Sequence, residues 1–307
     1  MNTMDFTKEE SHRGNTQSSP PSNKALIELF AIVSKIVIKE GGVYEGKSMT
    51  DKILLTISRK EDILTFSRLL EIEDNHFAFH CMCLGSFGIE LYADAQLITA
   101  IGFHHGISIR YHNWNSDAKL AQSDTLLTFL DTLGCAAPLQ ERQAQQKRQE
   151  ADNSREGKWL AATPGSFRKY KQQMNGLEDD YLVSLLEDLH AEIPGKEKRI
   201  IALLKAYGNS ENLWTAYPLY EGVPYKILET FTTVEIIDAY QHSDKNYKTR
   251  KGLGRFLCSF EYKKRRKNEL IHISSGVIDE LEKCFNFLGE QRGIDEITQL
   301  REDKNRY

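Results

Sequence analysis

Residues 89–111 read IELYADAQLITAIGFHHGISIRY, and this stretch decides the fold class. Ile89, Leu91 and Ala93 alternate with Glu90 and Tyr92, the two-residue rhythm of a strand with one apolar face. Asp94-Ala95-Gln96 supplies a tight connection, and Leu97 to Phe103 forms the next strand. Ile107 to Tyr111 follows as another. Between them His104-His105-Gly106 has the length of a three-residue hairpin loop, with Gly106 taking positive φ. The alternative is one long strand running through Tyr111.

Outward from this stretch the same reasoning extends the sheet. Phe77, Phe79, Cys81 and Cys83 alternate with Ala78, His80 and Met82 and predict a strand. Ile53 to Ile57 predicts one more. Three helices flank them. Leu26, Leu29, Phe30, Val33, Ile36 and Val37 recur at helical spacing from Lys24 until Gly41-Gly42. Ser58 with Glu61 matches a capping box, ahead of Ile63, Phe66, Leu69 and Leu70. Leu120, Leu126, Leu127, Leu130 and Leu133 lead to a stop at Gly134. Residues 24–138 therefore read as an α+β domain, a mostly antiparallel sheet with flanking helices.

Residues 1–23 form a polar tail that buries too little apolar area to order itself. Residues 139–158 are a polar linker, with helical character in its Gln, Arg, Lys and Glu. Residues 159–307 carry apolar stripes at helical spacing, such as Leu182, Leu185, Leu186 and Leu189, broken at Pro194-Gly195, Gly208 and Val223-Pro224. This is an all-α domain, and stacked helical pairs as in helical-repeat proteins would satisfy it, although no strict sequence repeat runs through it.

Composition bounds the function. The 307 residues hold 44 acidic and 40 basic side chains for a net charge of -4, so no overall basic field advertises a nucleic-acid partner. The five cysteines are too few and too scattered for a disulfide framework. The first residues carry Asp5, Glu9 and Glu10 rather than an apolar signal core. The most apolar early stretch, Ala25 to Ile38, is short and contains Glu28 and Lys35. These features predict a cytoplasmic protein with no membrane span. The P-loop, dinucleotide, zincin and α/β-hydrolase signatures are absent, and Gly252-Leu253-Gly254 lacks the rest of a dinucleotide fingerprint.

Three candidate sites remain. As zinc ligands the sequence offers His80, Cys81, Cys83 and His105. The C-x-C spacing is not that of a zinc knuckle and no second cysteine pair completes it. The sequence thus favours Cys81 and Cys83 as small core hydrophobes on the face of Phe77 and Phe79, and disfavours zinc. On the opposite face of the sheet His80, Glu90, Tyr92, His104 and Arg110 would point together, with Trp114 and Asp117 just beyond. As a catalytic set His80, His104, His105, Arg110 and Asp117 could run hydrolysis, with a histidine as acid/base and Arg110 as anion clamp. As a ligand-binding set Arg110, Trp114, Glu90 and Tyr92 could hold a polar small molecule. The third site is residues 245–267, with ten Lys/Arg against one Glu and its densest run at Lys263, Lys264, Arg265, Arg266 and Lys267. It could meet phosphates or an acidic partner, although a charge run also serves as a solvated helix end. The reading that unites these features is a two-domain binding protein, with a polar site on the α+β domain and a helical domain for a protein partner. A hydrolase, metal-dependent or not, and a nucleic-acid-associated protein are the alternatives.

Overall fold

The computed structural model of the chain describes residues 18–306 except 75–78, 212, 213 and 216. The chain divides into two compact units, Met1–Glu150 and Ala151–Tyr307.

The first unit begins with α1 (Asn23–Phe30), β1 (Lys35–Glu40), β2 (Val43–Tyr44), β3 (Lys47–Ser48), β4 (Ile53–Ile57) and α2 (Lys60–Leu69). It continues with β5 (Phe87–Ala93), β6 (Gln96–His104), β7 (Ser108–Arg110), β8 (Ala118–Lys119) and α3 (Ser123–Thr132). The start of α4 (Ala137–Ala161) completes it. Six strands make one antiparallel sheet in the order β4-β1-β5-β6-β7-β8, and β2 and β3 form a separate two-stranded ribbon. The α+β fold with flanking helices is thus the observed one.

One face of the sheet presents Ile36, Ile38, Ile89, Leu91, Ile101, Phe103 and Ile109, all buried, to Phe66 and Leu70 and to Leu126, Leu127 and Leu130 of α3. Period-two alternation therefore puts Gly88, Glu90, Ala100, Gly102, His104 and Arg110 on the other face, with Gly88 opposite Gly102 and Gly102 opposite Arg110. The β2–β3 ribbon lies over part of that face, where the Ala100 N–H donates to the Gly46 carbonyl at 2.9 Å.

Three local expectations change. The helix expected from Lys24 through Val37 stops at Phe30, and Lys35–Glu40 becomes a strand between β4 and β5. Ile36, Val37 and Ile38 are β-branched in succession, and burial on both faces of a sheet uses all three. The strand expected over residues 77–83 is a loop at residues 79–86, while Phe77 and Ala78 lie outside the described residues. The hairpin between β6 and β7 keeps the expected three-residue length but sits one residue later, at His105, Gly106 and Ile107, with His104 paired to Ser108. His105 and Gly106 have φ of 55° and 69°, both in the left-handed region, and the Ile107 N–H donates to the His104 carbonyl at 3.0 Å.

The second unit is helical: α5 (Ser166–Lys169), α6 (Leu182–Glu192), α7 (Lys196–Gly208), α8 (Val223–Leu228), α9 (Thr233–Gln241), α10 (Tyr247–Leu257), α11 (Phe260–Arg265), α12 (Ser275–Leu288) and α13 (Gln291–Arg306). Its core gathers Trp159, Phe167, Leu185, Leu203, Tyr240, Phe256 and Phe285, among others. α7 and α10 cross with their backbones almost touching. A Cβ on Gly252 would sit 1.9 Å from the Leu204 carbonyl oxygen, and one on Gly208 would sit 1.9 Å from that of Lys248. The Gly252-Leu253-Gly254 string is thereby accounted for by helix packing. No helix among the described residues is long and apolar enough to cross a membrane.

Candidate metal centre

The 79–86 loop and the β6–β7 hairpin meet at the polar face of the sheet, and the meeting point is a cluster of sulfur and imidazole nitrogen. Cys81 Sγ and Cys83 Sγ lie 3.1 Å apart. His104 Nδ1 is 3.1 Å from Cys83 Sγ. His105 Nε2 is 3.3 Å from Cys83 Sγ and 3.5 Å from Cys81 Sγ. Ligand atoms of Cys81, Cys83 and His104 all fall within 4.8 Å of one another. Donors at zinc–ligand distances around a tetrahedral centre are separated by about 3.3–3.8 Å, so these spacings have the scale of one small coordination sphere.

Local structure explains how adjacent histidines both reach it. Successive side chains on a strand point to opposite faces, so His104 and His105 could not converge within one extended segment. The left-handed backbone at His105 breaks the alternation and brings its ring around to the same side. His104 is fully buried, and room for its ring exists because Gly102 and Gly85 carry no side chain. A Cβ on Gly102 would stand 2.9 Å from His104 Nε2.

Charge follows from these surroundings. Burial pushes the His104 imidazole down to about 4, so the ring is neutral near pH 7. Hydrogen bonds from the Cys83 N–H and the Cys83 thiol hold the Cys81 thiol below its ordinary value. Burial pushes the Cys83 thiol up. His104 Nε2 is buried with no hydrogen-bond partner among the described residues, which leaves the contact at Nδ1 as the polar interaction of a ring removed from water. Cys81 and Cys83 belong to neither apolar core, and Phe79 beside them is 68% exposed, so the expected packing as core thiols is not what the structure displays.

Around the sulfurs stands a ring of polar residues. Arg110 donates from Nε to Asp117 Oδ1 at 2.6 Å, from Nη2 to Asp117 Oδ2 at 2.9 Å and to the Cys81 carbonyl, and from Nη1 to the Cys83 carbonyl at 3.0 Å. The Cys81 N–H donates to Asp117 Oδ2 at 2.8 Å. His80 Nδ1 is 2.8 Å from Asp117 Oδ1 rather than beside the sulfurs, where His104 and His105 lie instead. Gln145 on α4 lies 2.9 Å from His105 Nδ1. The same Gln145 Nε2 also donates to Glu141 Oε1 at 3.3 Å. Gln145 and its neighbour Glu141, which accepts from Ser86, were invisible to sequence patterning because they sit in the polar stretch read as a linker.

The remaining sequence candidates go elsewhere. Glu90 and Tyr92 bond each other at 2.7 Å, and Glu90 pairs with Lys39 at 3.0 Å beneath the β2–β3 ribbon. Trp114 is buried in the apolar core against Tyr111. Arg110 turns inward rather than clamping an external anion. In the basic stretch Lys263 pairs with Glu296 and Lys264 with Glu261, Lys245 with Glu280, and Arg255 is buried against Tyr207. Lys267 lies on the surface, and the side chains of Arg265 and Arg266 lie outside the described residues.

No protein-family model matches the chain, and no curated protein or solved structure is similar to it.

Proposed function

We propose that the α+β unit is a zinc-binding module in which Cys81, Cys83, His104 and His105 hold one ion, and that the protein works as a binding or interaction protein rather than a hydrolase. The observation that carries this reading is the convergence, at 3.1–3.5 Å, of two thiols from one loop with two imidazole nitrogens from a hairpin. Soft thiolate with imidazole suits zinc better than magnesium or calcium, which prefer oxygen. Cys81, Cys83 and His104 lie within 4.8 Å of one another; with His105 Nε2, at 3.3 and 3.5 Å from the two sulfurs, as the fourth donor the protein would fill a tetrahedral site, whereas hydrolytic zinc keeps one position open for water. The ion would fasten the 79–86 loop to the sheet, a span with little regular backbone pairing of its own, and so fix the surface that Phe79, Met82 and Leu84 present. The helical unit supplies the second surface, for a protein partner. Support for a nucleic-acid partner is weaker, because Lys245, Lys263 and Lys264 are engaged in ion pairs.

Elemental analysis of the full chain purified without chelator tests the reading. The expected result is one zinc per chain, lost in Cys81→Ser and in His104→Ala. Wild-type protein that carries no metal and takes none up from zinc-buffered solution would overturn it.

A further inference from the structure

The structure joins the two halves of the cluster through one side chain. Arg110 stands on β7, the second strand of the hairpin whose turn carries His105 and whose first strand ends at His104. Its guanidinium reaches across to the carbonyls of both Cys81 and Cys83. Asp117 fixes that guanidinium in a two-point contact and accepts the Cys81 N–H with the same carboxylate. Three backbone groups of the ligand-bearing loop are thus bonded to a single ion pair, where a strand would have bonded them to a neighbour.

We propose that Arg110 and Asp117 are positioning residues for the metal: they hold the Cys81–Cys83 loop in its ligating shape, in register with His104 and His105, before any ion arrives. The inference rests on the zinc reading above and extends it. Fixing the backbone of one residue costs about 1–2 kcal/mol, and a loop of this kind would otherwise impose that cost on metal binding. A guanidinium suits the task because its planar fork can hold a carboxylate and two carbonyls at once, while the ammonium of lysine is a point donor on a flexible stem. The pair is removed from water, with the Asp117 side chain 2% and the Arg110 side chain 18% exposed. Its hydrogen bonds therefore compete little with solvent.

The test uses the full chain loaded with zinc and, separately, with cobalt, as wild type, Arg110→Lys and Asp117→Asn. Zinc release to a chromogenic chelator should be faster in both variants by about 10–100-fold, the usual scale for outer partners of metal ligands. The thiolate-to-cobalt absorption should weaken as one sulfur leaves the coordination sphere. A role confined to general stability would lower the unfolding temperatures of metal-free and zinc-loaded protein alike and leave release and absorption unchanged. Folded variants that release zinc within about two-fold of wild type overturn the positioning role. Hydrogen exchange on metal-free wild type gives a reading that needs no variant: the Cys81 amide should be protected, and exchange at the rate of an unfolded chain would overturn the inference. Wild type that takes up neither zinc nor cobalt overturns the zinc reading, whereas wild type that binds them while both variants hold them as tightly overturns this inference alone.

Discussion

Arg110 and Asp117 meet as a two-point ion pair, Nε to Oδ1 at 2.6 Å and Nη2 to Oδ2 at 2.9 Å, across the turn that separates β7 from β8. Burial alone would raise the Asp117 carboxyl, but the guanidinium, His80 and the Cys81 N–H hold it below its ordinary value. Asp117→Ala would leave a guanidinium without its counter-charge in a mostly dry place. We expect the α+β unit to lose about 3 kcal/mol, the low end for breaking a buried pair. Chemical denaturation of metal-free protein measures this, and a loss no greater than that of an exposed ion pair would contradict it.

The turn at His105 separates ligation from folding. A residue with a side chain in the left-handed region costs about 1–2 kcal/mol relative to right-handed backbone, and glycine does not incur that cost. His105→Gly should therefore leave metal-free protein at least as stable as wild type while weakening zinc retention. A calorimetric scan with and without zinc reads both effects. Loss of stability in the metal-free variant would show that the ring, not the turn, holds the hairpin.

In the helical unit, Gly208 and Gly252 face each other's helix at backbone contact. Gly252→Ala must push α7 and α10 apart, and overpacking of this kind costs about 1–3 kcal/mol or more. The expected result is a lower unfolding midpoint with zinc content unchanged, because the cysteine–histidine cluster lies in the other unit. An unchanged midpoint would mean that the two helices can separate freely.

Acid stability has a local contribution at the start of α9. Glu235 pairs with Lys196 at 2.7 Å and accepts the Thr232 N–H in a capping box. Lys196 first and the Thr232 N–H second bring its carboxyl down to about 2. A carboxyl depressed on folding stabilises above the unfolded pKa, near about 4.3, and that contribution is lost as pH falls toward 2. Glu235 and Lys196 are partly exposed, so solvent screening reduces the pair to about 0.5–1 kcal/mol. Glu235→Gln should be less stable than wild type at pH 7 and converge with it near pH 2. Parallel stability curves from pH 7 to 2 would rule this out.

The sequence by itself determined the sheet from Phe87 to Arg110, because period-two alternation with one apolar face admits few other solutions. It also determined the helical character of the second unit and the residue types of the cysteine–histidine cluster. It placed Glu90, Tyr92, His104 and Arg110 on one sheet face, since strand register carries each side chain with it. Which of these side chains meet needed the tertiary structure. Alternating Phe77, Phe79, Cys81 and Cys83 looks like a strand, yet alternation says nothing about whether a neighbouring strand exists to accept the backbone bonds. Here Arg110 and Asp117 bond that backbone instead, through side chains far along the chain from Cys81 and Cys83. His104 and His105 reach the same side because the turn is left-handed at His105 and Gly106, and sequence period does not reveal backbone handedness. Gln145 entered from a helix whose polar composition marks it as solvated; its packing beside the hairpin brings its amide to His105.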